Sequence, residues 1–250
     1  MEAGERRRQY YIRLARGRVY ATIAGHVKSE SIIGRMVGES IDLPLGRAYI
    51  LAPTLTELME NFYERRTQVV YPKDSGFIAL IAGLRPGMRV VEAGVGSGFL
   101  TTVAAVHVCP DGRVYGFDVR RDYLEAARAN LEMAGLLDCV NLELGDVRRG
   151  VGLKDLDAAL LDLPDPWEAL RGIAPSLKPG APVAVFMPTY NQVEKLAAWV
   201  GGSRDYVLQG VYETLMREIE ATPGAVRPSP RMVGFTGFIA LVRRVIHGGR

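Results

Sequence analysis

The chain has 250 residues, with 31 Lys+Arg against 28 Asp+Glu, and is 48% hydrophobic and 24% charged. That apolar fraction excludes a disordered chain, and the length suits one large domain plus a small appendage rather than two large domains. No uncharged apolar run approaches the ~20 residues of a membrane span, and a net charge of +3 is too small to argue alone for a nucleic-acid partner.

The basic N-terminus lacks an apolar stretch followed by small residues, so it does not read as a secretory signal. Residues 1–66 alternate in short stretches, such as 11–15 and 18–23, broken by Gly17, Gly25, Gly34, Gly38 and Gly46. This spacing predicts a small β-rich domain of twisted hairpins. Thr54 heads a run with Leu and Met at helical spacing, which predicts a connecting helix over 53–61. From about residue 74 the pattern becomes strand, turn, helix. Strands are expected at 89–93, 113–118, 140–144, 158–162 and 183–187, with helices at 122–134 and 191–200 and a last strand within 234–244. Such alternation predicts an α/β layer fold on a largely parallel sheet, with 67–250 as the catalytic domain.

Cys109 and Cys139 stand far apart with no CxxC partner, and only His26, His107 and His247 could join them as soft ligands. Neither a zinc site nor a disulfide framework is expected, and the composition suits a reducing, cytoplasmic setting.

The most informative segment is Glu92-Ala93-Gly94-Val95-Gly96-Ser97-Gly98-Phe99-Leu100, an apolar strand running into three alternate glycines and a helix. Glycines serve where the backbone turns sharply and a ligand comes close. A dinucleotide fingerprint needs glycine where Phe99 stands. The GxGxG spacing with Glu92 before it points instead to S-adenosylmethionine. Asp118 ends the next strand and is placed to meet ribose hydroxyls, with Tyr123 a candidate for the adenine pocket. The third strand runs into Gly145-Asp146, whose carboxylate is a candidate acceptor for the adenine amine of the cofactor.

The fourth strand ends Leu161-Asp162-Leu163-Pro164-Asp165-Pro166-Trp167 at the edge where α/β enzymes place chemistry. The two prolines stiffen this loop and leave its carbonyls free, so Asp162 can orient a planar heterocycle. Asp165 reads as the start of a helix. Upstream, the stretch Gln68-Val69-Val70-Tyr71-Pro72-Lys73-Asp74-Ser75-Gly76 returns over the same edge, where the Tyr71 ring would stack on a base. The bland alternative is a buried tyrosine packed between domains.

Taken together, Tyr71-Pro72-Lys73-Asp74, the glycine loop, Asp162-Leu163-Pro164-Asp165-Pro166-Trp167, Pro188-Thr189-Tyr190-Asn191-Gln192-Val193 and Met232-Val233-Gly234-Phe235-Thr236-Gly237 resemble the tRNA (adenine-N1)-methyltransferases of the T-loop. The resemblance implies a seven-stranded class I S-adenosylmethionine-dependent methyltransferase sheet, Rossmann-like, behind a small β-rich N-terminal domain. It implies a tRNA substrate methylated at adenine 58, with archaeal-type members also acting at 57, and a homotetramer needing no metal. Carried over by residue, the family's cofactor contacts fall on the loop Gly94 to Leu100 (Gly94, Gly96, Ser97, Gly98, Phe99 and Leu100 among them), Asp118 and Asp146, and its catalytic Asp falls on Asp162; the pattern of the residues adds Glu92, Tyr123 and Asp162 as candidate cofactor contacts and Tyr71 as a candidate beside the reacting base. The chain departs from the family pattern at Phe235 and Pro230, where histidines are usual or frequent. The competing readings are a class I methyltransferase acting on another substrate and a non-catalytic tRNA-binding subunit of a mixed oligomer. Arg6, Arg7, Arg8, Arg13, Arg16, Arg18, Arg65 and Arg66 are the candidates for phosphate contacts.

Overall fold

The computed structural model describes residues 8–246 and divides the chain into two compact units, Met1–Phe62 and Tyr63–Arg250. The division falls four residues before the 66/67 boundary expected from composition. Arg6, Arg7 and His247 lie outside the described residues.

In the first unit, β1 (Val19–Thr22) pairs with β2 (Gly25–Lys28) and β3 (Ser40–Leu43) with β4 (Gly46–Tyr49), each as an antiparallel hairpin. Val27, Ile32 and Ile41 form their small shared core. The helix α1 (Leu55–Phe62) begins in a capping box: Thr54 N–H and its hydroxyl donate to Glu57 while Glu57 N–H donates back to Thr54. Residues 11–15 are not a strand. Their polar groups are taken by distant side chains instead, with Tyr11 donating to Glu57 and Tyr20 donating to the Arg13 carbonyl.

The second unit begins with α2 (Pro72–Ile81) and then alternates: β5 (Arg89–Ala93), α3 (Phe99–Val108), β6 (Arg113–Asp118), α4 (Arg121–Met133), β7 (Val140–Leu144), β8 (Ala158–Asp162), α5 (Pro166–Ile173), β9 (Pro182–Met187), α6 (Tyr190–Gly201) and β10 (Tyr206–Tyr212). A small pairing of β11 (Ile219–Glu220) with β12 (Arg227–Pro228) precedes the closing β13 (Phe238–Arg244). Seven strands form one sheet in the order β10-β13-β9-β8-β5-β6-β7. The five from β9 to β7 are parallel, whereas β13 runs antiparallel to both its neighbours. Parallel strands covered on both faces read as continuous apolar runs, and Ala158–Leu161 and Val183–Met187 are buried throughout. Their side chains pack with α5, α6 and Tyr206, whose hydroxyl donates to the Leu170 carbonyl at 2.7 Å.

One expectation is overturned here. Cys109 and Cys139 form a disulfide across 30 residues of sequence, their Cα atoms 5.9 Å apart. The end of α3 and the turn before β7 converge as the two strands they flank join one sheet, a proximity that spacing along the chain does not reveal. The bond also removes the ground on which a reducing compartment was read.

Candidate active site

The site is built at the carboxyl edge of the parallel strands. β5 ends at Ala93 and the chain turns through Gly94, Gly96 and Gly98, all at positive φ, into the buried start of α3. Gly94 is the position with least room: a Cβ there would lie 2.1 Å from the backbone oxygen of Asp162. The glycine loop and the end of β8 are thus in direct backbone contact, although 68 residues separate them in sequence.

Asp118, at the end of β6, is 8% exposed and accepts from Gly96 N–H at 2.9 Å and Arg120 N–H at 3.0 Å. It therefore ties the loop to the end of β6, one carboxylate oxygen on each backbone N–H. Glu92 is fully buried, and neither of its carboxyl oxygens has a hydrogen-bond partner among the described residues, nor has the Thr101 hydroxyl. Burial first, with the charges of Asp162 and Asp118 adding to it, pushes its carboxyl up to about 8. Asp162 is likewise pushed up to about 7, mainly by desolvation and further by Asp118.

A cleft lies over this loop. Gly94, Val95, Ser97, Phe99, Leu100 and Asp162 line it together with the extended segment Thr67, Gln68, Val69 and Val70, leaving a small pocket of about 10 Å³. Gln68, Val69 and Val70 belong to the stretch expected to return over this edge, whereas Thr67 and the way the segment is anchored are not readable from any periodicity or motif. The segment is fixed by side chains from far away. Buried Asn130 of α4 accepts from Glu64 N–H and donates to the carbonyls of Glu64 and Ser97, each at 2.9 Å. Ser97 accepts from Arg66 N–H at 2.8 Å, so its hydroxyl serves that segment.

The other expected residues are arranged less simply. Tyr71 is the N-cap residue of α2, directly after the buried Val70. Tyr123 lies half-buried under the Arg120 guanidinium, 4.2 Å from ring centre to Arg120 Cζ. Asp146 caps the turn at Val147–Arg149, and both its oxygens are taken by Arg148, which holds its carboxyl below the usual range. Asp165 starts α5 and pairs with the same Arg148 at 2.8 Å. The carbonyls of the proline loop are not all free: Pro164 accepts from Gln192 Nε2 at 3.1 Å, since α6 begins beside the loop. Of the phosphate candidates, Arg65 lies over the Phe99 ring and Arg66 pairs with Glu64.

Residues 46–238 match the family model described as the tRNA methyltransferase complex GCD14 subunit. The chain belongs to this family. A tRNA methyltransferase of this kind has relatives of similar length. The chain is 33% identical, over 78% of each protein, to the tRNA (adenine(57)-N(1)/adenine(58)-N(1))-methyltransferase TrmI of Methanocaldococcus jannaschii. Among solved structures it is similar to a SAM-dependent O-methyltransferase from Thermotoga maritima, with 32% identity, a TM-score of 0.88 and coverage of 96% of this chain and 89% of that one. It is also similar to the tRNA (m1A58) methyltransferase TrmI from Aquifex aeolicus, with 30% identity, a TM-score of 0.85 and coverage of 94% and 92%. The fold is that of the class I S-adenosylmethionine-dependent methyltransferases, and the cofactor is S-adenosylmethionine.

The residues present fit that cofactor. The turn at Gly94 admits no side chain, Glu92 offers buried carboxyl oxygens at its foot, and the carboxyl groups of Asp118 and Asp162 at the neighbouring strand ends suit a cation.

Proposed function

We infer that the chain is an S-adenosylmethionine-dependent tRNA (adenine-N1)-methyltransferase of the T-loop, acting at adenine 58 and, like the archaeal relative, at adenine 57. The observation that carries the assignment of roles is the seating of Asp162 on the glycine cradle, its backbone oxygen where a Gly94 side chain would be. When bound, the cofactor supplies an electrophilic methyl group on its sulfonium. Adenine N1 is already a nucleophile and needs no base to remove a proton. Positive charge then develops on the adenine ring, and the Asp162 carboxylate accepts from its N6 amine, fixing the ring and stabilising that charge. Tyr71, at the head of α2, stacks on the extruded base, whose unstacking costs a few kcal/mol. The Gly94–Leu100 loop and Asp118 hold the cofactor, with Glu92 beneath. Tyr123 and Asp146 border its adenine, and for Asp146 this requires Arg148 to yield one carboxylate oxygen.

Leu215, Met216, Ile219, Val226, Met232, Val233 and Phe235 are exposed on one excursion of the chain, which supports self-association into a homotetramer. No helix among the described residues is long and apolar enough to cross a membrane. A tRNA substrate supports a cytoplasmic location.

The test is to incubate the protein with labelled S-adenosylmethionine and an unmodified tRNA transcript and to map reverse-transcription stops. Stops at positions 57 and 58 are expected, because a methyl on the Watson–Crick edge blocks copying. Label in tRNA without a T-loop stop, or no label in tRNA, overturns the reading.

A further inference from the structure

Lys73 and Asp74 follow Tyr71 directly, and the roles given above leave both unused. Their side chains are 8% and 0% exposed, and they form an ion pair at 2.8 Å inside the second unit. Lys73 Nζ also donates to the Thr214 carbonyl at 2.9 Å, to Thr214 Oγ1 at 3.0 Å and to Thr236 Oγ1 at 2.7 Å, and the Thr214 hydroxyl donates in turn to Asp74. Thr214 lies two residues beyond the end of β10, and Thr236 two residues before the start of β13. The network thus grips both feet of the excursion formed by residues 213–237. That excursion leaves from the carboxyl edge, because Phe238 pairs with Met187 at the end of β9 and Asp162 lies level with Phe186 on the adjacent strand.

Adhesion alone does not call for this arrangement. The Phe77 ring already packs edge-on against Tyr212, with centroids 5.5 Å apart, joining α2 to the same foot. A buried ion pair must offset the desolvation of two charges, and apolar replacements are often as stable. Here the carboxylate is further penalised, for Asp74 Oδ2 is buried with no hydrogen-bond partner among the described residues. What such a pair adds over apolar contact is direction, since the three N–H groups of one ammonium, shared among four acceptors, admit one register of the two feet. The first turn of α2 shares that register, because the Tyr71 carbonyl accepts from the N–H groups of Asp74 and Ser75, each at 2.9 Å.

We propose that Lys73 and Asp74 are positioning residues for methyl transfer: their buried pair fastens both feet of the excursion at residues 213–237 to the first turn of α2, and so fixes that excursion beside Tyr71 on the acceptor side of the site. The proposal rests on the tRNA reading for its substrate.

The double variant Lys73→Met/Asp74→Leu removes both charges and keeps volume in place. Expected are a melting temperature close to wild type, S-adenosylmethionine affinity within twofold, and at least a tenfold loss of kcat/KM for tRNA. Retention of kcat/KM within twofold in a folded double variant overturns the proposal. If that variant does not fold, Thr236→Val decides. It leaves the ion pair intact and is expected to lose threefold or more in kcat/KM at unchanged cofactor affinity, and wild-type kinetics overturn the proposal. Hydrogen exchange across 213–237 gives a readout independent of substrate. Faster exchange there, but not in β5 or α3, is expected in the variants, and unchanged exchange overturns the proposal. An inactive wild-type protein counts against the tRNA reading, while the exchange result still judges the clamp.

Discussion

The two halves of the site are held in different ways. On the cofactor side, Gly94, Gly96 and Gly98 are set by backbone conformation, and Asp118 reaches Gly96 N–H from the neighbouring strand. On the proposed acceptor side, the contacts are made by side chains far apart in sequence: Lys73 with Thr214 and Thr236, and Gln192 with Pro164. A half built from local backbone geometry can serve any methyltransferase that uses the same cofactor. The half built from long-range side-chain contacts is where one substrate is distinguished from another.

Separation of the two halves is testable first at Asp162. Truncation to Ala should lower kcat by about 10²–10³-fold, the cost of losing one well-placed charge stabiliser, while calorimetry finds S-adenosylmethionine affinity within threefold. Equal losses in both would merge the halves. In the wild type kcat/KM should rise with pH through about 7 as Asp162 ionises, and the step should be missing in Asp162→Asn.

Gly94→Ala strikes the boundary between the halves, because its Cβ would fall 2.1 Å from the Asp162 backbone oxygen at a φ of +86. Cofactor affinity should drop at least tenfold, with turnover falling alongside, as measured by calorimetry and single-turnover methylation. A cofactor loss without a turnover loss at saturation would show that the β8 end does not move with the cradle.

Glu92 tests the buried carboxyl beneath the glycine loop. Its folded carboxyl titrates at about 8 against an ordinary 4.5, so between those values the folded state holds the extra proton. Stability should therefore fall as pH rises from about 4.5 to 8. Glu92→Gln should flatten that slope and melt a few degrees higher than wild type at pH 8.5; an unchanged slope in thermal melts would reject the assignment. The smallest effect on activity is expected at the disulfide. Cys109→Ser should cost about 2–4 kcal/mol of stability in denaturant titrations and leave kcat/KM within twofold.

Local patterns carried much of this in advance. The glycine loop, the acidic strand ends at Asp118 and Asp162 and the strands from Arg89 to Met187 follow from backbone conformation and apolar runs, which the chain writes in neighbouring residues. The return of 68–76 over the edge is legible, but its anchoring is not, because Asn130 and Ser97 hold the preceding residues Glu64 and Arg66 and neither lies near them in sequence. The Cys109–Cys139 bond was misread for the same reason: joining them requires β6 and β7 to be neighbours in one sheet. The sequence by itself determined which cofactor is bound and pointed to the sheet edge proposed for it, since both readings depend on turns and strand ends. Only the tertiary structure decided what closes over that edge, since a buried Lys73–Asp74 pair becomes a clamp only once β10 and β13 bring Thr214 and Thr236 to it.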